Sequence, residues 1–267
     1  MRQSFPAIPS EVMKLSEFEK LFDLLESSKR VVALTGAGVS TLSGIPDFRS
    51  SGGLYSQKFG SIKVEELLDI DFFRANPDEF YKWAKDGWYK MHEFQPNVVH
   101  KALALMEEKG ILTDGIFTQN IDALHQRAGS KKIYELHGSI ASSYCLRCQE
   151  RFTYEEIEEQ VRVGVNPVCP HCGGTIKPNI VFYGEGLDAH LLMQAEKSFK
   201  ECDLCLVLGS SLVVNPAATL PFLSVRSGKH VVIVNRDKTY LDDYADLRFT
   251  DLKTFSEAMV NWLRLRK

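Results

Sequence analysis

The sequence predicts an α/β fold, a doubly wound parallel sheet carrying a smaller inserted module. Three observations predict it. Short apolar, β-branched runs recur along the chain, and most end in glycine or a polar cluster. Helical patterns separate most of these runs. Residues 141–180 break the alternation, being rich in cysteine and turn formers. At about 150 residues per domain, 267 residues correspond to roughly two units, or to one large domain with an insertion.

Ser16 to Ser28 sets Phe18, Leu21, Phe22, Leu24 and Leu25 at amphipathic helical spacing. Arg30 to Thr35 is apolar and β-branched, a buried parallel strand running into the Gly/Ser/Pro-rich loop Gly36 to Gly53. Residues 62–94 read as helical and carry a stripe of aromatics, Phe72, Phe73, Phe80, Tyr81, Trp83, Trp88 and Tyr89. That stripe reads as core packing. Asn97 to Lys109 is another helix. Gly115 to Thr118 and Lys132 to Leu136 are strands running into Gln119-Asn120-Ile121-Asp122 and His137-Gly138. Leu204 to Leu208 and Val231 to Val234 are two further buried strands.

Hydrophobic residues at 44% and charged residues at 25% argue against disorder. Lysine plus arginine total 32 against 35 aspartate plus glutamate, a net charge of −3. A general nucleic-acid-binding surface would show a basic excess. No secretory pattern is read at Met1 to Ser10. Leu204 to Val225 is uncharged and long enough to span a bilayer. Gly209, Ser210, Ser211, Asn215, Pro216 and Pro221 interrupt it, so a strand, a turn and a buried helix are expected instead. The expectation is a soluble, cytoplasmic protein.

The chemistry gathers at strand ends. Gly36-Ala37-Gly38 followed by Thr41 lets the chain turn sharply and approach a phosphate, although Thr41 stands where the full fingerprint has a third glycine. Gln119-Asn120-Asp122, His137-Gly138 and Gly209-Ser210-Ser211 end three other strands, and ligands bind beyond the carboxyl ends of such strands. His137 there is a candidate base near neutral pH. Asp47 and Asp122 could bind ribose hydroxyls or an amide, or simply form turns.

All six cysteines fall in CxxC pairs. Cys145/Cys148 and Cys169/Cys172, 20 residues apart, form two knuckles at zinc spacing. Four thiolates leave no open coordination position, so the zinc would be structural. His171 reads as a spectator. Cys202 and Cys205 lead into a strand, where positions i and i+3 face opposite ways, and read as buried small hydrophobes.

Taken together, Gly36 to Ser40, Gly44 to Arg49, Thr118 to Asp122, His137-Gly138, the two knuckles, Lys177 to Glu185 and Gly209 to Ser211 resemble the sirtuins, NAD-dependent protein-lysine deacylases. The motifs occur in family order over about residues 30 to 237. The resemblance implies a Rossmann-like NAD-binding domain (1–50, 96–140 and 186–267) and a small domain made of a helical module (51–95) and a zinc-ribbon module (141–185). It implies that Gly36, Ala37, Gly38, Thr41, Asp47, Phe48 and Arg49 line the cofactor loop. Gln119 and Asn120 would meet the nicotinamide ribose, Ile121 and Asp122 the carboxamide. Gly209, Ser210, Ser211, Asn235 and Leu252 would hold phosphates and adenosine. Val181 and Tyr183 would line the acyl-lysine tunnel, where the family more often has Phe at the second position. Gly184, Glu185, Val213, Val214 and Asn215 would clamp the peptide as an added strand.

His137 and Asn120 are the implied catalytic residues, with His137 the general base. The products are deacetylated lysine, nicotinamide and O-acetyl-ADP-ribose. Protein ADP-ribosyl transfer or removal of other acyl groups is the alternative within the family. A Tyr-x-x-Arg pair marks family members that take acidic acyl groups; Tyr81 matches the tyrosine and Ala84 replaces the arginine, so neutral acyl groups are expected. The implied partners are acetyl-lysine proteins or peptides, with no nucleic acid, no membrane and a monomeric state. A dehydrogenase lacks support from the missing third glycine and the knuckles; a non-catalytic zinc module does not account for the polar strand ends.

Overall fold

The computed structural model describes residues 10–48 and 52–266. The implied role of Arg49 and the reading of residues 1–9 lie outside the described residues. In chain order the first half runs α1 (Ser10–Ser27), β1 (Val31–Thr35), β2 (Lys58–Phe59), β3 (Ile62–Lys63), α2 (Val64–Leu67), α3 (Ile70–Ala75), α4 (Pro77–Ala84), α5 (Val98–Glu108), β4 (Gly115–Thr118), α6 (Leu124–Arg127) and β5 (Ile133–Glu135). There follow β6 (Gly138–Cys145), β7 (Arg151–Thr153), α7 (Tyr154–Arg162), β8 (Ile176–Ile180), α8 (Ala189–Glu201), β9 (Leu204–Leu208), α9 (Leu220–Arg226), β10 (His230–Val234), β11 (Leu247–Phe249) and α10 (Leu252–Leu265).

Six strands make one parallel sheet in the order β11-β10-β9-β1-β4-β5. The chain builds outward from β1 in one direction and then from β9 in the other, so the order reverses between β1 and β9. That is the doubly wound pattern, with its switch point where ligands bind. The central strands are apolar throughout because both faces are covered. Val31, Ala33, Leu206 and Val232 pack on one face with Leu21, Leu103 and Met259 of α1, α5 and α10. Val32, Leu34, Val207 and Ile233 pack on the other with Phe199 of α8 and Leu220 of α9.

The inserted parts share a separate core. Phe73, Phe80, Tyr81 and Trp88 join Ile140, Cys145, Ile157 and Ile176 of the antiparallel sheet β7-β6-β8 and α7. The aromatic stripe is core packing, as expected: Phe73 meets Phe80 and Phe182 edge-on at 5.3 Å. Residues 62–94 are not one helix. Asp69 caps α3 by accepting from the N–H groups of Asp71 and Phe72, and Pro77 opens α4 just behind Asn76.

The uncharged run from Leu204 divides into β9, a turn and α9, and no described helix is long and apolar enough to cross a membrane. Cys202 and Cys205 are buried, but not for the strand reason. Cys202 ends α8 rather than lying in β9, and both cysteines join the same apolar cluster.

Candidate active site

At the switch point two loops interlock. The N–H of Gly36 donates to the Leu208 carbonyl at 3.0 Å, and that of Gly38 to the Gly209 carbonyl at 2.9 Å. A Cβ at Gly36 would sit 2.7 Å from the Gly209 oxygen, and one at Gly209 would sit 2.5 Å from the Val39 nitrogen. These glycines are therefore fixed first by loop-on-loop contact, before any ligand is considered. The segment after Gly36 is a 3-10 helix, Ala37–Ser43, rather than a longer α-helix.

A cavity of about 1100 Å³ opens above these loops. Small-ligand pockets run to roughly 1,000 Å³, so this one has room for a dinucleotide beside an extended side chain. Its wall includes Gly36, Ala37, Gly38, Thr41, Asp47 and Phe48 from the first loop. Gln119, Asn120, Ile121 and His137 come from the ends of β4 and β5. Gly209, Ser210, Ser211, Asn235 and Leu252 come from the second half of the sheet, and Val181, Tyr183, Gly184, Glu185, Val214 and Asn215 from the facing segments. Asp122 and Val213 are outside this lining.

Asp122 is buried below the wall. Its carboxylate accepts from Ser40 Oγ at 2.6 Å and from the Leu124 N–H at 2.9 Å. Burial raises its pKa, opposed by those two hydrogen bonds. Ser40 also accepts from Asn120 Nδ2 at 3.2 Å, so Asp122 orients Asn120 through Ser40. Gln119 is set by its Nε2 donating to Ser210 Oγ at 2.8 Å. Ser40's part carries no sequence signal of its own, because a serine inside a turn is commonplace.

His137 is held from both sides. Its Nδ1 lies 3.1 Å from the Gln119 carbonyl, which can only accept, so Nδ1 carries the hydrogen and Nε2 keeps the lone pair. Burial lowers the pKa of His137, partly offset by that carbonyl, which favours the neutral base at pH 7. The His137 carbonyl in turn accepts from the Val181 N–H at 2.9 Å. Gly138, at φ +73°, lies so close to the Asn179 oxygen that any Cβ would collide with it.

The facing segment is tied down as well. Tyr183 donates its N–H to Leu68 and accepts at its carbonyl from Ile70, so its backbone anchors the segment. Lys177, 1% exposed, pairs with Glu185 at 2.9 Å, and Glu185 accepts from the Phe182 N–H. Tyr81 is not in the cavity wall. Its hydroxyl donates to the Ile176 carbonyl at 2.7 Å within the small core, which removes the basis for reading acyl preference from Tyr81 and Ala84. The lining lysine and arginine among the described residues are Arg236 and Lys253, next in sequence to Asn235 and Leu252.

The Sγ atoms of Cys145, Cys148, Cys169 and Cys172 all lie within 4.8 Å of one another. Each CxxC closes a matching turn: Gln149 N–H bonds to the Cys145 carbonyl, and Gly173 N–H to that of Cys169. A Cβ at Gly174 would sit 2.8 Å from Cys145 Sγ. Four convergent sulfurs fit tetrahedral zinc in a closed, structural site. His171 is exposed and outside the cluster.

Residues 36–216 match the Sir2 family. An NAD-dependent protein deacetylase of Thermotoga maritima is 48% identical over 237 residues, covering 89% of this chain and 93% of that protein. An NAD-dependent protein deacylase 2 of Archaeoglobus fulgidus is 40% identical, covering 87% and 90%. A solved Sir2 structure with a deacetylated peptide and 3′-O-acetyl-ADP-ribose superposes with a TM-score of 0.87 at 44% identity, over 92% of this chain and 98% of that one. Another, holding a propionylated peptide, superposes with a TM-score of 0.83 at 44% identity, over the same 92% and 98%.

Proposed function

We propose, from the premise that this chain belongs to the Sir2 family, that His137 is the general base of an NAD-dependent protein-lysine deacetylase. The observation that carries the role is the imidazole itself. Its Nδ1–H is tied to the Gln119 carbonyl, and it lines the same cavity as the glycine loop and the Val181–Glu185 segment. When bound, NAD would supply an electrophilic ribose carbon for the acyl oxygen with nicotinamide as leaving group, and one water would be consumed in releasing free lysine and O-acetyl-ADP-ribose.

The chain's residues do the rest. His137 Nε2 accepts a proton from a ribose hydroxyl, and burial keeps that nitrogen unprotonated beforehand. Asn120, oriented through Ser40 by buried Asp122, and Gln119, fixed by Ser210, position the ribose. Gly36, Ala37, Gly38, Thr41, Asp47 and Phe48 face the dinucleotide from the first loop. Ser211, Asn235 and Leu252 hold its adenosine end and Ile121 its carboxamide end, with Asp122 supporting that end from behind through Ser40. Val181 and Tyr183 flank the acyl-lysine. Gly184, Glu185, Val213, Val214 and Asn215 take the peptide backbone as an added strand. Cys145, Cys148, Cys169 and Cys172 hold one structural zinc.

Neutral acyl groups fit best. Buried Lys177 is already paired with Glu185, and a carboxylate left unpaired in the tunnel would be costly. The large domain is taken as 1–50, 96–140 and 186–267, with 51–95 and 141–185 forming the small one; the separate core of the inserted parts supports this. The protein is taken as a cytoplasmic monomer, and the near-neutral charge supports the absence of a nucleic-acid partner.

The test is mass spectrometry of an acetyl-lysine peptide incubated with the protein, with and without NAD. Loss of acetyl and gain of O-acetyl-ADP-ribose only with NAD is the expected result. An ADP-ribosylated peptide, or no change, would overturn the reading.

A further inference from the structure

The hydroxyls of Tyr55 and Tyr183 meet at 2.5 Å, joining segments 128 residues apart in sequence. Both rings line the main cavity. Their partners differ in kind. Tyr183 is a fixed post, with its backbone N–H and carbonyl bonded to Leu68 and Ile70. Tyr55 belongs to the other wall. Its N–H donates to the Phe48 carbonyl at 2.9 Å, and its ring packs on the Phe48 ring at 5.2 Å. Next to it, the Leu54 N–H donates to the Asp47 carbonyl at 2.9 Å. Asp47 and Phe48 are themselves cavity-lining. A pull on Tyr55 is therefore a pull on the turn that faces the dinucleotide.

We propose that Tyr55 and Tyr183 form a clasp across the cleft, by which the acyl-lysine segment holds the Asp47–Phe48 turn in its dinucleotide-binding position. Both are positioning residues: they act through Phe48 and Asp47. The inference rests on the deacetylase reading for the identity of the two ligands. Its physical basis is pre-organisation. A turn held in place before binding loses less freedom when the ligand arrives, so affinity rises without a new ligand contact. A phenylalanine at position 183 would keep the ring and lose the hydroxyl, which makes the clasp a property of the tyrosine.

The test is a double-mutant cycle on the full-length, zinc-loaded protein. Wild type, Tyr55→Phe, Tyr183→Phe and the double variant are titrated with NAD by calorimetry, without peptide. Each single variant is expected to bind NAD roughly two- to tenfold more weakly, the span of one net hydrogen bond. The double variant should be no weaker than the weaker single, because one bond is removed in all three. Melting temperatures of all variants should stay close to wild type, and acetyl-lysine peptide affinity should stay close to wild type in Tyr55→Phe, which does not flank the acyl-lysine. Unchanged NAD affinity in both single variants, or a double variant whose loss is the product of the two, would overturn the clasp. Turnover is measured separately: wild type that binds NAD but leaves acetyl-peptide intact would defeat the deacetylase reading, while the binding cycle would still decide the clasp.

Discussion

The sheet edge and the cysteine knuckles use one device to opposite ends. In both, glycine allows two turns to meet closer than any side chain permits. At the sheet edge Gly36 and Gly38 press on Gly209; in the small lobe Gly174 presses on Cys145 Sγ. The knuckles then turn their four sulfurs toward one another, so the donors would saturate a single ion and leave no open coordination position. The sheet edge turns its polar groups toward a cavity instead, and fixes each from behind with a second group. Closed convergence gives stability, and open convergence gives chemistry. The two regions should therefore fail differently.

The largest expected effect is in the closed region. Structural zinc is worth on the order of 10 kcal/mol in small zinc domains, and here it ties the two turns that flank β6 and β8. Cys145→Ser, or removal of the metal by a chelator, should lower the melting temperature sharply and abolish deacetylation with it. Metal analysis should find one zinc per chain. A zinc-free protein that melts and turns over like the wild type would break the comparison at its base.

The open region should lose chemistry while keeping its fold. His137→Ala is expected to cut turnover by about 10²–10⁴-fold, the worth of a positioned general base. Its melting temperature should stay near the wild-type value, since the hydrogen bonds that pin this stretch run through the Val181 N–H and the His137 backbone carbonyl. Near-normal turnover would show that the base is another group.

Ser40→Ala sharpens the same contrast at smaller scale. It removes one donor from a buried carboxylate and one acceptor from Asn120. Leaving a buried polar group unsatisfied costs about 1–3 kcal/mol. Roughly a tenfold loss in kcat/KM for NAD is expected, with the acetyl-peptide KM little changed. A loss confined to the peptide KM would mean that Asn120 does not serve the dinucleotide.

What could be read from the residues follows the range of the interactions. The central strands were legible because burial on both faces forces apolar runs, and the knuckles because two thiolates at x2 spacing leave few other uses. β11 was not legible. Leu247–Phe249 is three residues long and includes Arg248, whose guanidinium pairs with Asp242, so no apolar run marks it. The roles of Ser40, Tyr55 and Lys177 were hidden for another reason. Each depends on a partner far along the chain or on a carbonyl that carries no sequence signal. Tyr81 shows the converse: a motif register pointed at the site, yet the side chain packs in the small core.

The last contrast concerns acid, and there two sets of histidines separate function from fold. His137 must be neutral to accept a proton, and burial lowers its pKa below the ordinary value near 6.5. The kcat/KM of the folded enzyme should therefore be flat above about pH 6.5 and fall only below it. A limb at or above pH 7 would mean that a neighbouring negative charge, not burial, sets this histidine. His100 and His125 lie behind the site with ring centroids 4.8 Å apart. Burial lowers His100 to about 4; burial, with its neighbour His100, lowers His125 to about 3. Folding thus favours their neutral forms. The stability they lend is complete above the unfolded value near 6.5 and is lost as pH falls from there toward 4 and then 3. Linkage puts that loss at about 2 kcal/mol per histidine by pH 5. Melting temperatures measured across this window, with zinc content monitored, should fall in wild type and His137→Ala alike, because the pair is intact in both. A variant whose melting no longer depends on pH after losing only His137 would move the acid-sensitive element from the buried pair to the catalytic wall.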